Sequence, residues 1–174
     1  LGLYALQHRG QESAGIVSLE GRGGSGVHTH HKGLGLVADV FKEEDLNRLK
    51  GDVAIGHVRY STTGSNLLTN AQPLTANLRR GSVAIAHNGN IVNAHQLREE
   101  LVQQGAIFQA TNDTEVLLHM LARNNKMRFL EALKDAVEKM EGAFSLLLMT
   151  QKKLIAMSDK NDENELILLT FKQL

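Results

Sequence analysis

The sequence contains no cysteine. Disulfides, thiolate metal sites and cysteine catalysis by this chain alone are therefore excluded. The absence does not fix a compartment, because a chain without thiols fits any of them. Proline is nearly absent too. Pro73 stands alone, so there is no stiff linker, while sixteen glycines supply the turn punctuation. Net charge is missing: 19 basic and 19 acidic residues cancel. No broad attraction to nucleic acid or to an anionic membrane is expected. Apolar runs are short, such as 144–149, against the roughly 20 residues that a spanning helix needs. Residues 1–8 lack the basic start and long apolar stretch of a signal peptide. There is no internal repeat or low-complexity tract.

What remains is an ordinary globular composition, 174 residues with 42% hydrophobic and 22% charged. That is enough for one domain with a real core. The chain opens on Leu1 rather than methionine, which suggests a fragment or a processed product.

Patterning predicts a short helix over 2–8 stopped by Gly10, then strands at 13–19 and 26–32 around a glycine-rich connection. A polar helix is expected at 43–49 and a strand at 52–58. A polar loop then reaches Gln72, and strands follow at 74–79 and 82–87. Three helices come next: one capped by Asn93 and ended by Gly105, one from Asp113, and one over 129–140. On the first, Ala94, Leu97, Leu101 and Val102 share an inward face. Strands at 143–150, 153–158 and 165–171 close the chain. Strands, then helices, then strands favour an α+β fold with largely antiparallel sheets.

Three polar clusters sit at the ends of apolar strands. In His57-Val58-Arg59-Tyr60-Ser61-Thr62-Thr63-Gly64, the arginine could grip a carboxylate with two parallel hydrogen bonds, or lie on the surface beside a loop. In Ala86-His87-Asn88-Gly89-Asn90, the Asn88 amide and the Gly89 N–H could stabilise an oxyanion. Taken alone, the Asn-Gly pair reads rather as a tight turn. In Thr111-Asn112-Asp113-Thr114-Glu115, Asp113 could bind an ammonium, although alone it reads as a helix cap. His28 and His30 share a strand face near His31, but a solvated strand is favoured over a metal site. The glycine-rich stretch 21–26 lacks the Gly-Lys-Ser/Thr ending of a phosphate loop.

Together these segments form ordered words. Gln7-His8-Arg9-Gly10-Gln11-Glu12-Ser13-Ala14-Gly15 is followed by 33–41 (Gly-Leu-Gly-Leu-Val-Ala-Asp-Val-Phe) and by Gly56 to Thr62. Asn70-Ala71-Gln72-Pro73, Ala86 to Asn90 and Asn112-Asp113-Thr114-Glu115 complete the series. Over residues 1–159 this series resembles the glutamine-hydrolysing domain of the amidophosphoribosyltransferase family. Glucosamine-6-phosphate-forming amidotransferases are similar, but their counterpart of 7–11 usually reads more like Tyr-Arg-Gly-Tyr-Asp.

The resemblance implies an N-terminal-nucleophile hydrolase sandwich, two antiparallel sheets between helix layers, here without its first strand. It implies that Arg59 holds the glutamine α-carboxylate and Asp113 the α-ammonium, with Asn88 and Gly89 as the oxyanion hole. Arg9 would order the nucleophile loop, and Thr62 and His87 would support the site from behind. In the family a cysteine opens a short Cys-Gly strand and attacks the glutamine amide, and the ammonia passes to a phosphoribosyltransferase domain. There, with Mg2+, phosphoribosyl pyrophosphate becomes 5-phosphoribosylamine, the first step of de novo purine biosynthesis.

The resemblance further implies a cytoplasmic homo-oligomer, a tetramer in the full protein. No cofactor or metal is implied in this domain, and whether the full protein carries an iron–sulfur cluster stays open. Without the cysteine, the fragment is expected to be inactive. The alternatives are a non-catalytic glutamine-binding or regulatory domain that has lost its nucleophile, or the glutaminase domain of another class II amidotransferase such as the glucosamine-6-phosphate-forming enzyme. The family's Asn-Gly-Leu/Ile-Arg-Pro ending does not follow Asp159, so 160–174 is set apart as a divergent tail.

Overall fold

Why strand β1 (Ser13–Glu20) lies at the centre of a sheet can be read from its side chains. Residues on both of its faces are buried, including Ala14 and Ser18 on one and Val17 and Leu19 on the other. In the computed structural model, β1 is flanked antiparallel by β2 (Val27–Leu34) and β3 (Val53–Arg59). The structure describes residues 1–21, 26–60 and 67–158, and the backbone of 166–170.

A second antiparallel sheet holds β4 (Leu74–Leu78), β5 (Gly81–Ile91), β6 (Gly142–Thr150), β7 (Lys153–Ser158) and β8 (Leu166–Thr170), in that order. Strand β5 shows how the layers are assigned. Its small residues Ala84 and Ala86 turn to the first sheet, where they meet Val17, Leu19 and Ile55. Its large residues Val83 and Ile85 turn the other way, toward Leu117, Leu121, Leu133 and Val137. Those leucines and valines belong to helices α5 (Thr114–Arg123) and α6 (Phe129–Lys139), which cover the outer face with α4 (Ala94–Gln103).

Short helices α1 (Gly2–Leu6) and α2 (Val37–Val40) pack on the first sheet, and α3 (Glu43–Arg48) follows α2. The order of layers is helix, sheet, sheet, helix, the sandwich that the sequence led us to expect.

Several local expectations are corrected. Asn88-Gly89-Asn90 is not a turn. Strand β5 runs through it to Ile91 in unbroken register with β6, Gly89 opposite Phe144. Asn93 precedes α4 but makes no side-chain cap. Its amide instead bridges Lys139 O at 2.9 Å and Glu141 N at 3.0 Å, tying the start of α4 to the end of α6. Val102 is 53% exposed, because it lies about 100° around the helix from buried Leu101. Helix α2 carried no signal at four residues.

Candidate active site

The sheets part where β3 ends and β5 continues beyond β4, paired there with β6. The opening is a cavity of about 450 Å³ lined by Arg9, His57, Val58, Arg59, Tyr60, Gln72, His87, Asn88, Gly89, Asn90, Asn112, Asp113 and Ala143. Arg59 is the last residue of β3, paired with Ser13 at the start of β1, and only 5% exposed. Its Nη1 lies 3.5 Å from the Glu12 carboxylate, and Glu12 N–H donates to Arg59 O at 3.1 Å. Gly10 lets this crossing occur. A Cβ there would stand 2.7 Å from the carbonyl carbons of Val58 and Arg59.

Among the described residues, the outer edge of β5 beyond β4 has no strand partner. The β4 partnership ends where Leu74 faces Ile85. Beyond that point side chains satisfy the backbone. His87 N–H donates to Gln72 Oε1 at 2.6 Å, His57 Nε2 donates to His87 O at 3.0 Å, and Ile91 N–H donates to Asp113 Oδ2 at 3.0 Å. By the two-residue period of a strand, the Gly89 N–H points to the same edge, between those of 87 and 91.

The side chains behind that edge are joined. Gln72 Nε2 donates to Thr114 Oγ1 at 3.3 Å. His87 Nδ1 lies 3.0 Å from Thr114 Oγ1 and 3.4 Å from Asp113 Oδ1. Asp113 precedes α5 yet makes no side-chain cap, because its carboxylate serves Ile91 and His87 instead. The capping role that its sequence position suggested is thereby corrected. Burial alone would raise the Asp113 pKa. The hydrogen bond and charge of His87, with backbone N–H donors, outweigh it and hold the carboxyl below its ordinary range.

Burial pushes His57 down to about 4, aided by the charges of His87 and Arg59 and opposed by its bond to the His87 carbonyl. His57 is therefore neutral at pH 7. His57 Nδ1 and His87 Nε2 are buried without a hydrogen-bond partner among the described residues.

Residues 109–115 are held from two sides. Asn70 Oδ1 accepts from Thr111 N–H at 2.9 Å and Asn112 N–H at 3.1 Å. The Glu115 carboxylate accepts from Gln109 N–H and Ala110 N–H at 2.9 and 2.7 Å. Arg98 donates to the carbonyls of Ala110 and Asn112.

One cavity thus gathers Arg59, Asp113, Asn88, Gly89, Arg9 and His87. Thr62 lies outside the described residues. Sequence reasoning assigned no role to Gln72, Asn70 or Thr114, although all three stand inside the quoted words. The available signal was an amide or hydroxyl beside residues destined for burial. The histidines divide: His31 bonds Val40 O at 2.8 Å and faces Asp45 at 3.3 Å, while His28 and His30 line a separate cavity. Among the described residues, no three His, Asp or Glu side chains converge.

The family described as a glutamine amidotransferase domain matches residues 57–172. The chain belongs to this family. Among similar members of the glutamine amidotransferase group, amidophosphoribosyltransferase 3, chloroplastic, from Arabidopsis thaliana is 50% identical over 159 residues, which are 91% of this chain and 29% of that protein. The solved glutamine phosphoribosylpyrophosphate amidotransferase from B. subtilis, complexed with ADP and GMP, is 45% identical with a TM-score of 0.83. The match covers 92% of this chain and 34% of that one. The structure described as the allosteric regulatory enzyme of purine biosynthesis matches with a TM-score of 0.85 at 45% identity, again over 92% of this chain and 34% of that one. The chain therefore spans about a third of the relatives it matches. No helix among the described residues is long and apolar enough to cross a membrane.

Proposed function

We propose that this glutamine amidotransferase domain binds free glutamine in the 450 Å³ cavity as the glutaminase part of an amidophosphoribosyltransferase. The observation that carries the reading is one buried cation and one partly buried anion, Arg59 and Asp113, on the walls of a single polar cavity. A free amino acid is a zwitterion and needs one fixed charge of each sign. Arg59 takes the α-carboxylate through its planar fork. Asp113, kept ionised by its neighbours, takes the α-ammonium. The side-chain amide then lies against the outer edge of β5. There the Gly89 N–H and the Asn88 side chain stabilise the oxygen that becomes negative when a nucleophile attacks. Arg9, on the same cavity wall, orders the nucleophile loop, and His87 supports Asp113 from behind; Thr62, outside the described residues, is assigned a supporting role by the family resemblance alone.

The nucleophile in this reading is a cysteine thiolate. It forms a glutamyl thioester, releases ammonia and is regenerated by water. These 174 residues contain no cysteine, so the chain by itself does not turn glutamine over. In the whole enzyme the ammonia aminates phosphoribosyl pyrophosphate, with Mg2+, on a phosphoribosyltransferase domain. The whole enzyme is a homo-oligomer that works in the cytoplasm, or in the plastid where a relative is named chloroplastic.

Calorimetric titration with L-glutamine tests the reading. Saturable binding is expected, lost by about tenfold or more in Arg59→Lys and in Asp113→Asn, with no ammonia release. Equal affinity in wild type and both variants would remove the cavity from consideration. Turnover by the purified chain would overturn the need for a thiol.

A further inference from the structure

At the opposite end of the second sheet the hairpin turns β4–β5 and β6–β7 lie side by side, because Val83 of β5 faces Thr150 of β6. The start of α6 packs next to them, and the three segments enclose a cavity of about 400 Å³. Among the described residues, four cationic ones line it, Arg80, Arg128, Lys152 and Lys153, against one acidic one, Glu131. The chain as a whole is neutral, so this local excess is not an average property of its surface. Glu131 supplies one negative charge against four positive ones, and its Oε2 accepts the Arg128 backbone N–H at 3.0 Å.

Among the described residues, none of the four cations forms an ion pair with a carboxylate. The Arg80 guanidinium is fixed by donation to the Asn124 carbonyl. The Thr150 hydroxyl accepts from the N–H groups of Lys152 and Lys153 at 3.2 and 2.9 Å, which sets the shape of their turn. Like charges held around one cavity repel, and a multivalent anion relieves that repulsion while gaining charge-assisted hydrogen bonds.

We propose that this cavity is a binding site for a small phosphate-bearing anion, with room and charge for two linked phosphoryl groups. Guanidinium and ammonium donors contributed by three segments to one cavity lining suit phosphoryl oxygens. The site lies about 20 Å along β5 from His87 and stands independently of the glutamine reading.

The probe is inorganic pyrophosphate, titrated into the chain by calorimetry and followed by amide chemical shifts, with sodium chloride at matched ionic strength as the blank. Saturable one-to-one binding is expected, with shifts concentrated at residues 80–82, 128–131 and 150–153. The double variant Arg128→Gln, Lys152→Gln is expected to weaken it by about tenfold or more. A charge-keeping pair, Arg128→Lys with Lys152→Arg, is expected to restore binding to within about threefold. Thermal melts of each variant confirm folding. The proposal is overturned by no saturation up to about 10 mM, by equal affinity in the neutralised variant, or by chloride producing the same shifts.

Discussion

Gln72→Leu isolates the joint that holds the cavity edge of β5 in place. The side chain is 6% exposed and bridges two elements, accepting from His87 N–H at 2.6 Å and donating to Thr114 Oγ1 at 3.3 Å. Leucine keeps the approximate volume and removes both bonds. His87 is 3% exposed, so its N–H loses its partner at a largely buried position. That costs about 1–3 kcal/mol, and the lost bond to Thr114 adds roughly 0.5–1.5 kcal/mol. The apolar side chain returns about 1 kcal/mol through easier burial. The net expectation is a loss of about 1–3 kcal/mol. With a urea slope near 2 kcal/mol per molar, the midpoint falls by about 0.5–1.5 M at unchanged slope. Thr114→Val completes a double-mutant cycle, with an expected coupling of about 0.5 kcal/mol or more. A midpoint shift below about 0.2 M, or strictly additive losses, would show that Gln72 does not hold β5 to α5.

Gly89→Ala meets both a positive φ of 130° and a backbone oxygen, that of Ala143, 2.2 Å from the new Cβ. We expect thermal unfolding to show a loss of about 3 kcal/mol or more. His57 has a folded pKa near 4 against 6.5 unfolded, so the unfolded chain binds the proton first as pH falls. The stability contributed by neutral His57 is complete above pH 6.5 and is lost on the way down to about 4. Denaturation midpoints across that window should show a shallower slope in His57→Gln, though not a flat one, since burial also lowers His28 and His119. Asp113 has the opposite chemistry with the same sign: its carboxyl is depressed below 3.8, so its contribution is complete above that value and is lost as pH falls through the folded pKa. Asp113→Asn should therefore flatten the most acidic part of the stability profile, read by the same melts.

The fold was legible wherever apolar spacing carried it. The faces of α5 and α6 and the start of nearly every strand followed from period alone, because those side chains enter one core. The site was legible only in part. Arg59 and Asp113 advertise charge at the ends of elements, but strand ends and helix starts carry such residues for ordinary reasons. Asn88-Gly89 misled when read locally, since a dipeptide favoured in turns is here held in a strand by its register with β6. Gln72 and Asn70 were hidden for a different reason. Their work is to satisfy backbone groups of residues 15 and 41–42 positions away. Such partners are set by tertiary closure and have no periodic signature.

The uncovered stretch of β5 also bears on self-association. An open strand edge is a template onto which another chain can add. Here His87 and Ile91 offer their N–H groups to Gln72 and Asp113, and His57 claims the carbonyl between the sheets. A second strand arriving edge-on would have to displace all three side chains at once. A molecule the size of an amino acid need displace none. The same three side chains that border the cavity beside Gly89 therefore also guard this edge against strand addition.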